Sequence, residues 1–331
     1  MDAVLSALVE DKIGPGDQAK FLIQTAKEKI KFDYCLALRS PAIALFLALK
    51  ALGIEKGQGV LVSALSPIYY ERVIADLGLV PIYCDVSSSS ACVSRETVEK
   101  AIASGAAIPK CIVLHHTLGY LPDGEAIKEL GIPVIEDRSQ SYGSFIANEE
   151  SQESSEGYAV FTILGLEEKD MLTSGGGALL YSMNRRDAAI LRGLGDLPPE
   201  YGLPDMNAAM AIVQFREAAK NIIKRREIAR LYTQSALRTR HKSFVLLDGE
   251  EYNNYAFPLI LETGLKDVKT YARKKDIAVE NAFDNTLAGM VKSDQCPAAC
   301  SLSLRTVLFP IYPRLGMTDA GKVAKLILTL P

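Results

Sequence analysis

The chain has 331 residues, 48% hydrophobic and 23% charged, with a net charge of −3 at pH 7. That exceeds one average domain and holds enough apolar material for a large core, which excludes fibrous and disordered classes. No apolar run reaches the roughly 20 residues of a spanning helix, because the longest, Pro41 to Ile54, is broken by Lys50 and Gly53. The acidic balance argues against nucleic acid, whose binding rests on clustered Lys and Arg. Met1-Asp2-Ala3-Val4 lacks the basic-then-apolar start of a secretory signal, so a cytoplasmic location with six reduced cysteines is expected. Cys296 and Cys300 form a CxxxC that a redox or metal pair could use, but no His stands at metal spacing and no metal is expected.

From Phe32 to Glu136 strand and helix patterns alternate, the signature of βαβ units stacked into a mainly parallel sheet. Strands are predicted at Tyr34 to Leu38, Gly59 to Ser63, Val80 to Cys84, Cys111 to His115 and Pro133 to Glu136. Helices are predicted from Pro41, over Tyr69 to Leu77, Arg95 to Ala103 and Asp123 to Leu130. Ser40 at the N-cap and Pro41 at the first helical position mark the first of these by two independent rules. Asn148 to Glu156 is polar and aperiodic, hence a surface loop. Two strands, Gly157 to Ile163 and Gly176 to Ser182, flank a loop with Glu167, Glu168, Lys169 and the Ser174-Gly175-Gly176-Gly177 turn. Asp205 to Leu237 reads as a long helix whose Lys224-Arg225-Arg226 run is a solvated face, and His241 beyond it is assigned to the surface. Residues 1–237 thus form a large α/β domain and residues 238–331 a smaller α+β domain.

Ligands of such sheets sit beyond the carboxyl ends of the strands, here marked by Ser40, Asp85, His116, Asp137 and the Lys169 loop. Neither G-x-G-x-x-G nor G-x-x-x-x-G-K-[ST] occurs, so a plain dinucleotide or P-loop reading has no fingerprint. Taken alone, Asp137 is what a helix cap looks like, and Lys169 beside two glutamates is what a charged surface loop looks like.

An ordered set of motifs changes that weighing. Ser40-Pro41-Ala42-Ile43-Ala44-Leu45, the stretch Val60 to Val86, His116-Thr117-Leu118-Gly119 and Val134 to Gly143 (VIEDRSQSYG) follow one another in a fixed order. Lys169 to Gly177, Tyr201 to Gln214 and Leu308 to Val323 complete it. The set resembles the DegT-type nucleotide-sugar aminotransferases, fold type I enzymes dependent on pyridoxal 5′-phosphate, over nearly everything from Gly14 on.

The resemblance implies a homodimer that moves an amino group, from glutamate, onto a keto-sugar nucleotide for amino-sugar or polysaccharide biosynthesis. It makes Lys169 the catalytic Schiff-base lysine and Asp137 the partner of the protonated ring nitrogen. Gln140 falls near the ring hydroxyl, Thr162 and the turn at Pro41 and Ala42 at the phosphate, and Pro67 where the family stacks an aromatic on the ring. Several residues depart from that pattern. Pro41 removes a backbone donor and Ala42 a hydroxyl; two charge-assisted bonds of about 1.5–3 kcal/mol each correspond to about 10²–10⁴ in affinity. Glu167 and Glu168 stand where they raise the pKa of Lys169, against its use as a nucleophile.

Two outcomes are therefore set against each other. An active transaminase places Lys169, Asp137 and Thr162 around one pocket. A degenerate member, acting as a binding or regulatory protein, turns Lys169 to solvent and fills the pocket with side chains such as Leu65, Pro67 or Tyr142.

Overall fold

The structure, a computed structural model, describes residues 2–9, 13–105, 108–147, 158–262 and 264–331. The polar loop expected over Asn148 to Glu156 lies outside the described residues. Helices α1 (Asp2–Val9) and α2 (Asp17–Lys27) precede β1 (Tyr34–Leu38), α3 (Pro41–Ala51), β2 (Gly59–Ser63), α4 (Tyr69–Asp76) and β3 (Val80–Cys84). Then follow α5 (Arg95–Ser104), β4 (Cys111–His115), α6 (Gly124–Lys128), β5 (Val134–Asp137), β6 (Phe145–Ile146), β7 (Phe161–Gly165) and β8 (Ala178–Ser182). Helix α7 (Arg185–Arg192) and the long α8 (Asp205–Ala236) lead to β9 (Glu250–Glu251), β10 (Phe257–Ile260), α9 (Leu265–Arg273), β11 (Glu280–Asn281), α10 (Pro297–Arg305), β12 (Thr306–Phe309) and α11 (Met317–Leu328).

The central sheet has the order β1-β8-β7-β5-β4-β2-β3. All its pairings are parallel except those of β8, which runs antiparallel to both β1 and β7. Runs such as GVLVS and CIVLH are buried throughout, because helices cover both faces. On one face Val62, Val113, Ile135 and Ile163 pack against α3 and α4; on the other, Leu61, Ile112 and Val134 belong to a second core. This alternation decides the site, since Asp137 lies on the α3–α4 side with Ile135, whereas Glu136 and Thr162 face the opposite way.

A second, three-stranded antiparallel sheet, β10-β12-β11, shares a core with α8, α9 and α11 around Tyr232, Leu259, Val307 and Val323. Asp85, at the end of β3, ties this part to the large sheet by accepting the first free amides of α10, from Ala298 at 3.0 Å and Ala299 at 2.8 Å. Two expectations are corrected here. Arg225 is not on a solvated face: its guanidinium donates to the carbonyls of Tyr255 and Ile311, both at 2.8 Å, and so fastens α8 to the loops beyond it. His241 is buried, its Nδ1 accepting the amide of Glu262 at 3.3 Å. All six cysteines are free thiols. Among the described residues there is no cluster that could hold a metal, and no helix is long and apolar enough to cross a membrane.

Candidate active site

The parallel strands bring their carboxyl ends to one edge, and there a cavity of about 540 Å³ opens between the large sheet and the segment after β11. Pro67, Gln140 and Lys169 line it, joined by Leu65 and His115 from the large sheet and Glu280 from β11. Three of the predicted site residues therefore meet at the predicted place. Gln140 is held there by accepting the amide of Leu118 at 2.7 Å.

Lys169 reaches this cavity from outside. The turn that carries it is fixed by reciprocal bonds: the Glu167 amide donates to Asp170 Oδ2 at 2.8 Å and the Asp170 amide to the Glu167 carbonyl at 3.0 Å. Tyr255 donates its hydroxyl to the Lys169 carbonyl at 2.6 Å. With the backbone held, the side chain is 76% exposed and its ammonium pairs with Glu280 at 2.9 Å. The hydrogen bond and charge of Glu280, aided by the charge of Glu168, raise its pKa, the wrong direction for an amine that must shed its proton to attack a carbonyl.

Asp137 does not border the cavity. It is 1% exposed, and both of its oxygens are engaged from within the protein. One accepts the amide of Ser139 at 3.0 Å together with the Ser139 hydroxyl; the other accepts the hydroxyl of Tyr70, with His115 Nδ1 at 3.6 Å. Burial by itself raises a carboxyl pKa, but these donors outweigh it and hold Asp137 at about 2. Nearby Asp170 shows the opposite balance: burial, with the charges of Asp137 and Glu167, pushes its pKa up to about 7 despite the Glu167 amide.

The remaining predicted residues lie elsewhere. Thr162 points to the far face, its hydroxyl 3.4 Å from Glu136 Oε2, and lines a different cavity with Arg138 and Tyr181. Pro41 is buried and Ala42 half-buried at the start of α3, where the amide of Ile43 is already capped by Ser40 Oγ at 3.3 Å. His116, at the end of β4, is locked between Ser141 Oγ at 2.7 Å and Glu136 Oε1 at 3.0 Å. Burial lowers its pKa.

Sequence reasoning missed Tyr70. Its signal was two consecutive tyrosines, Tyr69 and Tyr70, two and three residues after Pro67 at the start of α4. Tyr142, one of the side chains expected to fill the pocket, instead packs edge-on against Phe215 beneath α8.

The strand order and the cavity at the strand ends define a mixed α/β chain of the fold type I transferase class. Residues 1–328 match the DegT/DnrJ/EryC1/StrS aminotransferase family model, and the chain belongs to that family. A relative, L-glutamine:2-deoxy-scyllo-inosose aminotransferase from Streptomyces lividus, is 26% identical over 250 residues, 71% of this chain. The chain covers 57% of that relative's length. Among solved structures, the aminotransferase TlmJ from Streptoalloteichus hindustanus superposes with a TM-score of 0.86 at 19% identity, covering 98% of this chain and 94% of its own. A family aminotransferase from Brucella abortus does so with a TM-score of 0.85 at 20% identity, covering 98% and 93%. A sugar aminotransferase from Streptococcus pneumoniae, solved in its pyridoxal-phosphate form, gives 0.85 at 16% identity over 99% and 96%.

Aminotransferases of this family are enzymes that depend on pyridoxal phosphate. The residues that this chain presents do not fit that group. The carboxylate expected at the ring nitrogen, Asp137, accepts the Tyr70 hydroxyl and does not line the cavity. The lysine amine is drawn to Glu280, and at the helix start Pro41 has no N–H while the Ile43 N–H is spent on Ser40.

Proposed function

We propose that this member of the sugar-aminotransferase family binds a keto-sugar nucleotide of amino-sugar or polysaccharide biosynthesis without transaminating it, as a binding or regulatory subunit. The observation that carries this reading is the Lys169–Glu280 ion pair on a turn fixed at Glu167, Asp170 and Tyr255. Support for a sugar ligand comes from the cavity wall, where Gln140, Asn281, Asn285 and Thr286 offer neutral donors and acceptors suited to hydroxyl groups. Lys269, which donates to Asn281 at 2.8 Å, places a positive charge on the same wall for a diphosphate, while Lys169 is paired with Glu280. In this reading residues 1–237 form a large domain and residues 238–331 a small one with the cavity between them, and the chain works as a cytoplasmic homodimer.

A second reading, an active glutamate-dependent transaminase, is favoured by one observation: Lys169, Gln140 and Pro67 do line a single cavity with His115. Amino transfer separates the two. The purified chain, supplied with pyridoxal phosphate, glutamate and a keto-sugar nucleotide, is expected to bind the sugar nucleotide while forming no 2-oxoglutarate above the level of Lys169→Ala. Lysine-dependent 2-oxoglutarate formation would establish the second reading instead.

A further inference from the structure

Tyr70 is fully buried on α4, its ring set edge-on to Tyr69 with centroids 5.0 Å apart and edge-on to His115 at 6.2 Å. A buried phenol needs a hydrogen-bond partner, and a buried carboxylate needs donors; here each answers the other. The hydroxyl of Tyr70 gives Asp137 what a protonated ring nitrogen would give it, a donor aimed at an ionised oxygen inside the sheet edge. The same carboxylate oxygen has His115 Nδ1 at 3.6 Å; His115 lines the 540 Å³ cavity, whereas neither Asp137 nor Tyr70 does.

We propose that Tyr70 is a built-in occupant of the ring site: it satisfies Asp137 within the chain and thereby excludes pyridoxal phosphate from that carboxylate. This rests on the non-transaminating reading and gives it a cause distinct from the position of Lys169. The sheet edge is then already complete without a cofactor, and the cavity is left free for the sugar ligand alone. The phenol is fully buried and packed at its ring edges by Tyr69 and His115, so a ligand that displaced it would have to disturb that packing.

The test is equilibrium binding of pyridoxal 5′-phosphate to the full chain and to Tyr70→Thr, followed by absorbance and by dialysis. Restoring access to a charged hydrogen bond corresponds to at least about tenfold tighter binding by the variant. Equal binding by the two chains, whether both bind or neither does, overturns the inference. Should Tyr70→Thr not fold, crystals of the unmodified chain soaked in pyridoxal phosphate decide: the phenol stays on Asp137 if the inference holds, and a ligand ring on Asp137 overturns it. Failure of both chains to bind removes the role of Tyr70 but leaves the non-transaminating reading standing. A Schiff base at Lys169 in the unmodified chain removes both.

Discussion

Asp170→Asn is expected to stabilise the protein at pH 8 by up to about 4 kcal/mol, the free energy that corresponds to a carboxyl pKa raised from 3.8 to about 7. Because the folded value is the higher one, the stability linked to this group is complete below pH 3.8 and is lost as the pH rises through about 7. An asparagine keeps the oxygen that accepts the Glu167 amide and carries no charge to desolvate beside Asp137 and Glu167. Denaturant titrations at pH 5 and pH 8 check this: the gain should be large at pH 8 and small at pH 5. An equal gain at both would mean that the carboxyl is not held neutral by burial. A carboxyl pushed this far from its ordinary range, next to Lys169, follows a pattern that clusters at working sites.

Asp137→Ala is expected to lower stability by about 3–5 kcal/mol, since it strands the buried hydroxyls of Tyr70 and Ser139 and the Ser139 amide. Here the sign of the pH dependence reverses. With its folded pKa depressed from 3.8 to about 2, Asp137 contributes stability that is fully present above pH 3.8 and fades as the pH falls through about 2. That window is worth about 2 kcal/mol, and acid unfolding followed by circular dichroism should show it in the unmodified chain and not in Asp137→Asn. The same numbers bear on function, because an aspartate already this well satisfied gains little from a ring nitrogen and loses a network to meet one.

The strands of the large sheet were legible because each is a short apolar run between turn signals. GVLVS, VPIYC and CIVLH are short apolar runs bounded by Gly, Pro or polar residues, and β2, β3 and β4 begin and end where the sequence places them. Strand β7 runs from Phe161 to Gly165 rather than ending at Ile163, because the apolar run continues and Ser139 Oγ accepts the Gly165 amide. Helices α2, α7 and α10 were not read from the sequence; α2 and α7 are short amphipathic helices without a long apolar run, and α10 depends on Asp85, 213 residues from Ala298, for its first amides. The site divided along the same line. Spacing back from the glycine turn puts Lys169 at the cavity rim, but the direction of its amine depends on Glu280, 111 residues away. Likewise the fate of Asp137 depends on Tyr70, 67 residues earlier on another element. Strand parity separates Thr162 from Asp137, and it becomes visible only when β5 and β7 are set in register as Asp137↔Ile163.

Whether this chain makes the family's covalent bond is settled most directly at Lys169 itself. The purified protein is incubated with pyridoxal phosphate, reduced with borohydride, digested, and the peptide containing Lys169 weighed by mass spectrometry. The arrangement of Glu280, Tyr70 and Asp137 predicts no phosphopyridoxyl adduct specific to Lys169, any labelling there being no greater than at other exposed, ion-paired lysines such as Lys20 and Lys322. Stoichiometric labelling confined to Lys169 would contradict it, and would return the chain to the working transaminases of its family.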